Sequence, residues 1–130
     1  MVIDTSAIFA ILNGEPEAET FANAILNDST RLISTGTALE ISIVVRARKG
    51  EPGIKELDSF LSITEIDIVD FDENQLTMAR YAFEHYGKGM DNSAKLNFGD
   101  CFAYALSKTS GEPLLFKGDD FSQTDITVVI

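Results

Sequence analysis

The hydrophobic pattern changes period in blocks along the chain. Met1-Val-Ile3 is a short apolar run that stops abruptly at Asp4, which predicts a buried strand. Ser6 then stands where it can cap an amphipathic run from Ala7 to Leu12, so Asp4 falls at the strand's carboxyl end, facing a helix N-terminus. Asn13-Gly-Glu-Pro16 reads as a turn. Glu15, Glu17 and Glu19 load the start of a second helix that runs to about Asn27, with Phe21, Ala24 and Ile25 at helical spacing. Arg31–Ser34 is a short strand. Thr35-Gly-Thr37 opens a third helix, Ala38 to about Arg48, closed by Lys49-Gly50. Glu51-Pro-Gly53 breaks the chain before a fourth helix carrying Ile54, Leu57, Phe60 and Leu61.

The second half continues the alternation. Thr64–Val69 reads as a strand, and Asp72 caps a fifth helix through Leu76, Ala79, Phe83 and Tyr86. Residues 87–95 form the long polar segment, expected to be mobile. Asn97 caps a sixth helix, Phe98 to about Ser110, which Gly111 ends. Pro113–Phe116 is a strand, 117–121 a tight loop, and Ile126–Ile130 a last strand. Strands alternating with helices predict an α/β fold: a mostly parallel central sheet covered on both faces, a three-layer α/β/α sandwich. At 130 residues it is expected to be a single domain.

Composition narrows the picture. No apolar run approaches the ~20 residues needed to cross a membrane, and the N-terminus lacks the pattern of a signal peptide. The single cysteine, Cys101, cannot form an internal disulfide, and Cys/His metal spacing is absent, so a reducing cytoplasm is expected. The net charge of −11 argues against broad electrostatic binding of nucleic acid. It is compatible with acids gathered around a cation, which reverses the local field.

Several acids fall at junctions between elements. Asp4 ends the first strand, Glu40 lies in the first turn of the third helix, Asp100 in the first turn of the sixth, and Asp119 and Asp120 follow the Leu114–Phe116 strand. In a parallel sheet the acids that follow strands share its carboxyl edge, where open α/β sheets bind ligands. Each also has a structural reading. Thr37-x-x-Glu40 fits a capping box, Asn97-x-x-Asp100 nearly does, and Asp119 or Asp120 suits a turn. Asp4 differs, because Ser6 already supplies a cap. A further carboxylate at a buried strand end is costly unless paired or bound to metal. Convergence of four such acids, with few bases nearby, points to a hard divalent cation, and oxygen-only ligands suit Mg²⁺ or Mn²⁺.

The segments Val-Ile-Asp-Thr-Ser-Ala at 2–7, the Glu40 helix, Asn-Phe-Gly-Asp-Cys-Phe-Ala-Tyr-Ala at 97–105 and Leu-Leu-Phe-Lys-Gly-Asp-Asp-Phe at 114–121 together resemble the PIN domain. More narrowly they resemble the VapC toxins of VapBC toxin–antitoxin pairs, in order and over the whole chain. The resemblance implies a Mg²⁺- or Mn²⁺-dependent endoribonuclease in which metal-activated water attacks RNA and leaves a 5′-phosphate and a 3′-hydroxyl. Asp4, Glu40 and Asp100 fall on three of the family's acids, and Asp119 is favoured over Asp120 as the fourth. Asp4, Asp100 and Asp119 are the expected metal ligands. Glu40 is expected to hold a second ion or orient the water, with Thr5 or Ser6 steadying a carboxylate. The implied partners are a tRNA or rRNA substrate, a VapB-type antitoxin that places a basic side chain in the acidic cleft, and a second copy of the chain.

The remaining residues sort the alternatives. His85 is the chain's one histidine, which excludes acid–base cleavage by a histidine pair. Cys101 reads as a small buried side chain, and Tyr104 lies one turn from Asp100, in the core or against the site. Arg46 and Lys49 share a face of the Glu40 helix, as RNA-phosphate contacts or as charges complementing the helix terminus. Two other readings are a PIN nuclease of RNA maturation without an antitoxin and a receiver-like Mg²⁺-binding signalling module using Lys117. The second expects paired acids early in the chain, and Asp4 has no acidic neighbour.

Overall fold

The computed structural model describes residues 1–90 and 93–130. Its order is β1 (Val2–Ile3), α1 (Thr5–Leu12), α2 (Ala18–Asn27), β2 (Leu32–Ser34), α3 (Thr35–Ile63), β3 (Asp67–Val69), α4 (Glu73–Tyr86), α5 (Phe98–Ser110) and β4 (Leu114–Leu115). The four strands form one parallel sheet in the order β3-β2-β1-β4, with Val2 opposite both Leu32 and Leu114. The chain therefore builds outward from β1 on one side through β2 and β3, then returns to add β4 on the other. That reversal beside β1 is where a parallel sheet opens a crevice at its carboxyl edge.

Successive strand residues point to opposite faces, and the core divides accordingly. Ile3, Ile33 and Leu115 pack with Ile8, Ile25, Ile41 and Leu57 of α1, α2 and α3. Val2 and Leu114, with Leu32 beside them, pack with Ala82 of α4 and with Ala103, Tyr104 and Leu106 of α5. This is the α/β/α sandwich that the alternation predicts. Among the described residues no helix is long and apolar enough to cross a membrane.

Helix starts differ from expectation at two places, for one reason: α1 and α3 follow their strands without a loop. Asp4 itself, not Ser6, caps α1, its side chain accepting from the Ser6 N–H. Ser34 caps α3 through Gly36 N–H, which leaves Thr37 inside the helix with a buried, unpartnered Oγ1. The Thr37–Glu40 capping box is therefore not formed. By contrast Asn97 and Asp100 make a complete capping box on α5. The expected break within α3 falls at Gly50, whose φ of 64° and ψ of −152° divide the helix at a kink.

One further expectation is corrected. The C-terminal segment makes a single parallel bridge, Leu114 with Val128, and not a full strand. Of the polar segment expected to be mobile, Asp91 and Asn92 lie outside the described residues. Its flanks are anchored: Gly87 bridges Leu96, Lys88 N–H donates to Leu96 O at 2.8 Å, and Ala94 and Leu96 are buried.

The N-terminal turns of α3 and α5 cross closely. A Cβ on Gly36 would fall 2.2 Å from Phe102 Cδ1. The Phe102 ring is itself packed edge-on against Phe71 and Phe98, at centroid distances of 4.8 and 5.1 Å. Gly36→Ala should therefore overpack this crossing and destabilise the fold by about 1–3 kcal/mol, despite alanine's better helix propensity. Urea titration would read this as a lower midpoint with an unchanged slope.

Candidate active site

The cleft at the carboxyl edge of the sheet encloses about 260 Å³ and is lined by Asp4, Thr5, Ser6, Glu40, Asp100 and Asp120, with Asn97, Lys117 and apolar walls from Phe9, Val44 and Phe121. A larger groove of about 590 Å³ lies between α4 and α5, but apart from Arg80 and Cys101 its lining is hydrocarbon. The groups able to do polar chemistry are in the smaller cleft.

Asp4 is buried, and its two oxygens have different surroundings. Oδ2 accepts from Ser6 N–H at 3.0 Å and Ser6 Oγ–H at 2.7 Å, whereas Oδ1 is buried with no hydrogen-bond partner. Burial pushes the Asp4 carboxyl up to about 6; the Ser6 bonds oppose this and the Glu40 charge adds to it. Asp100 is also buried. Its Oδ2 accepts from Asn97 N–H at 3.0 Å, while its own N–H donates to Asn97 Oδ1 at 2.9 Å. Burial pushes its carboxyl up to about 7, opposed by the Asn97 bond and reinforced by the charges of Asp4, Asp120 and Glu40. Asp100 is thus both cap and cleft acid, so the two readings of this residue are not exclusive.

Glu40 reaches the same place from α3. Its Oε1 accepts from Thr5 Oγ–H at 2.5 Å, so the hydroxyls of Thr5 and Ser6 each hold one carboxylate. Ser6 Oγ also accepts from Lys117 N–H at 2.9 Å, tying the loop after β4 to α1. Of the two loop acids, Asp120 lines the cleft, while Asp119, the one favoured from sequence, does not. Asp119 instead uses its carbonyl, which accepts from Ser122 N–H and Oγ–H. Adjacent acids in an irregular loop carry no periodicity that reveals which one turns inward.

The proposed phosphate contacts do not line the cleft. Lys49 Nζ donates to Leu12 O at 2.8 Å and lies 3.7 Å from Glu56, so its charge is committed between helices. Arg46 pairs with Glu51 at 2.9 Å on the open surface. Lys117, which the sequence places only in a receiver-like alternative, also lines the cleft. Its ammonium is ion-paired with Glu15 and with Glu17, which raises its pKa and leaves the cleft acidic. The signal available in sequence was the acid pair itself, read there only as favourable helix-start charge.

The remaining candidates lie elsewhere. Tyr104 is a core residue whose hydroxyl donates to Asp125 at 2.6 Å. Cys101 is buried, with burial pushing its thiol up to about 11, far from a thiolate at neutral pH. His85 stacks on Tyr81 at the end of α4, its Nδ1 2.9 Å from Tyr81 O.

The donor set fits a hard divalent cation. It offers only oxygen, contains a buried carboxylate oxygen with nothing to bind, and gathers like charges whose mutual repulsion a cation would relieve. Among the described residues no three acid, histidine or cysteine side chains already stand in an ion-holding arrangement, so binding would draw the carboxylates together.

Residues 1–126 match the family model described as the PIN domain. Ribonuclease VapC30 of Mycobacterium tuberculosis is 52% identical over 129 residues, covering 99% of this chain and 98% of the relative. Ribonuclease VapC of Mycolicibacterium smegmatis is 50% identical over 129 residues, covering 99% of each. Among solved structures, a toxin–antitoxin complex from Klebsiella pneumoniae superposes with a TM-score of 0.74 at 18% identity, covering 98% of this chain and 94% of that one. The crystal structure of Mycobacterium tuberculosis VapC20, described as a sarcin–ricin loop cleaving toxin, gives 0.74 at 16% identity, covering 97% and 95%. At these identities the structural likeness supports the fold alone.

Proposed function

The chain belongs to the PIN-domain family of VapC ribonucleases, and from that premise we propose that Asp4 and Asp100 hold the divalent cation at which it hydrolyses RNA. The observation that carries this is the buried, unpartnered Asp4 Oδ1 beside a second buried carboxylate whose ionisation the fold opposes. Asp120, in preference to Asp119, completes the ligand set from the loop after β4. When bound, Mg²⁺ or Mn²⁺ lowers the pKa of a coordinated water and offsets charge developing on the phosphate.

The rest is done by the protein. Ser6 occupies Asp4 Oδ2 and so leaves Oδ1 free for the ligand. Glu40, steadied by Thr5, orients the attacking water and accepts its proton. Lys117, neutralised by Glu15 and Glu17, keeps its ammonium from filling the acidic cleft.

The activity is that of a toxin, with residues 1–130 working as one domain in the reducing cytoplasm on tRNA or rRNA. A VapB-type antitoxin fits electrostatically, since a basic side chain entering this cleft would meet four carboxylates. A second copy of the chain fits the exposed apolar side chains Leu39, Ile43 and Phe98 beside the cleft. Arg46 is retained as a surface phosphate contact, while Lys49 is held by Leu12 and Glu56.

Antitoxin-free protein incubated with total RNA should give discrete cuts with Mg²⁺ or Mn²⁺ and none with EDTA, and end mapping should return 5′-phosphates. Cuts that persist in EDTA, or that leave cyclic phosphates, would overturn the metal-dependent hydrolysis.

A further inference from the structure

Gly99 occupies the second position of α5, inside a capping box, where glycine weakens a helix relative to alanine. Its backbone is not in the left-handed region, so conformation does not require glycine there. Space does. A Cβ on Gly99 would lie 1.7 Å from Glu40 Oε2, 2.4 Å from Cδ and 2.7 Å from Oε1, and these are its three nearest atoms. The Glu40 carboxylate therefore rests on the bare Cα of Gly99, with Thr5 Oγ–H bonded to Oε1 from the other side. The arrangement is reciprocal with Gly36, which occupies the second position of α3 and receives Phe102 of α5. Each helix presents a glycine to a side chain about one turn into the other. The consequences differ, because an aromatic ring packed on two others resists displacement, whereas Glu40 ends in a flexible carboxylate that swings aside at small cost to the fold.

We propose that Gly99 is a positioning residue for Glu40: the absence of a side chain at 99 fixes where the Glu40 carboxylate stands in the cleft. This rests on Glu40 acting there, as proposed above. Gly99 touches neither substrate nor metal in this account and acts through Glu40 alone.

The test is a cycle of four full-length proteins: wild type, Gly99→Ala, Glu40→Ala and the double variant. Each is measured for Mn²⁺-dependent RNA cleavage and, in EDTA, for Tm. Gly99→Ala should lower cleavage by about tenfold or more, the scale of losing an orienting contact, while its Tm stays close to that of wild type. In the Glu40→Ala background the same substitution should leave cleavage unchanged and raise Tm by a few degrees, because the helix gain is no longer offset by the displaced carboxylate. Full cleavage by Gly99→Ala would overturn the proposal. So would an equal fall in Tm in both backgrounds, which would make Gly99 a packing residue and nothing more. Full cleavage by Glu40→Ala would instead remove Glu40 from the chemistry; the Tm cycle would still report whether Gly99 seats it.

Discussion

Asp100→Asn should abolish RNA cleavage, lowering it by about 10³-fold or more, and should at the same time make the metal-free protein more stable. The first effect follows from the loss of a charged ligand. Several kcal/mol of transition-state charge stabilisation disappear with it, and each 1.36 kcal/mol is a factor of ten. The second follows from what the fold does to this carboxyl. Burial first, then the charges of Asp4, Asp120 and Glu40, push it up to about 7. For an acid whose pKa is raised by folding, the stabilising contribution is complete below the unfolded value, near 4, and is lost as pH rises through the folded value. At pH 8 the ionised Asp100 therefore works against the metal-free fold. Asparagine keeps a side-chain oxygen able to accept from Asn97 N–H, so the capping box survives while the charge goes. The expected gain at pH 8 in EDTA is about 1–2 kcal/mol, roughly 3–8 °C in Tm. A mutation that inactivates by damaging the fold would move Tm down, so calorimetry beside the cleavage assay separates the two cases.

The second large effect is a pH dependence that the cation should reverse. In EDTA, stability should fall between about pH 5 and 8 as the Asp4 and Asp100 carboxyls, raised to about 6 and about 7, ionise as an interacting pair. Acids with lowered pKa values, Asp28, Glu15 and Asp125, have the opposite sign, but their contribution is lost only below about pH 4 and does not mask the window. Saturating Mn²⁺ binds the ionised pair, so its stabilisation should grow across the same window and reach about 2.7 kcal/mol at a hundredfold excess over Kd. Thermal scans at unit pH steps, with Mn²⁺ and with EDTA, should give curves that diverge towards pH 8. Asp100→Asn should collapse them onto one another, and parallel wild-type curves would contradict the account.

The parts of this fold legible in sequence are those fixed by local pattern. The abrupt end of Met1-Val-Ile3 locates Asp4 at a strand's carboxyl edge, and Asn97 with Asp100 announces the start of α5. The errors arise where two local solutions compete and tertiary structure chooses. Ser6 and Asp4 can each cap α1, and the direct passage from strand to helix selects Asp4. That removes the ground on which Asp4 was first set apart, and the unpartnered Oδ1 supplies a better one. Thr37 and Ser34 compete in the same way for α3; once Ser34 wins, Glu40 is released from capping and meets Thr5 instead. The surroundings of Lys49 and Lys117 are not legible in sequence for another reason. Long cationic side chains reach partners far away in sequence, Leu12 and Glu15 here, and no spacing rule records that reach. The seat that Gly99 gives Glu40 is of the same kind, since it depends on two helices crossing at their first turns.

The most direct test of the central claim is a crystal structure of the protein soaked with Mn²⁺, with anomalous scattering used to locate the ion. The account predicts one strong peak in the cleft, bound by Asp4 Oδ1 and an Asp100 oxygen, with Asp120 beside it. No peak in the cleft at saturating Mn²⁺, or one bound without Asp4, would contradict it.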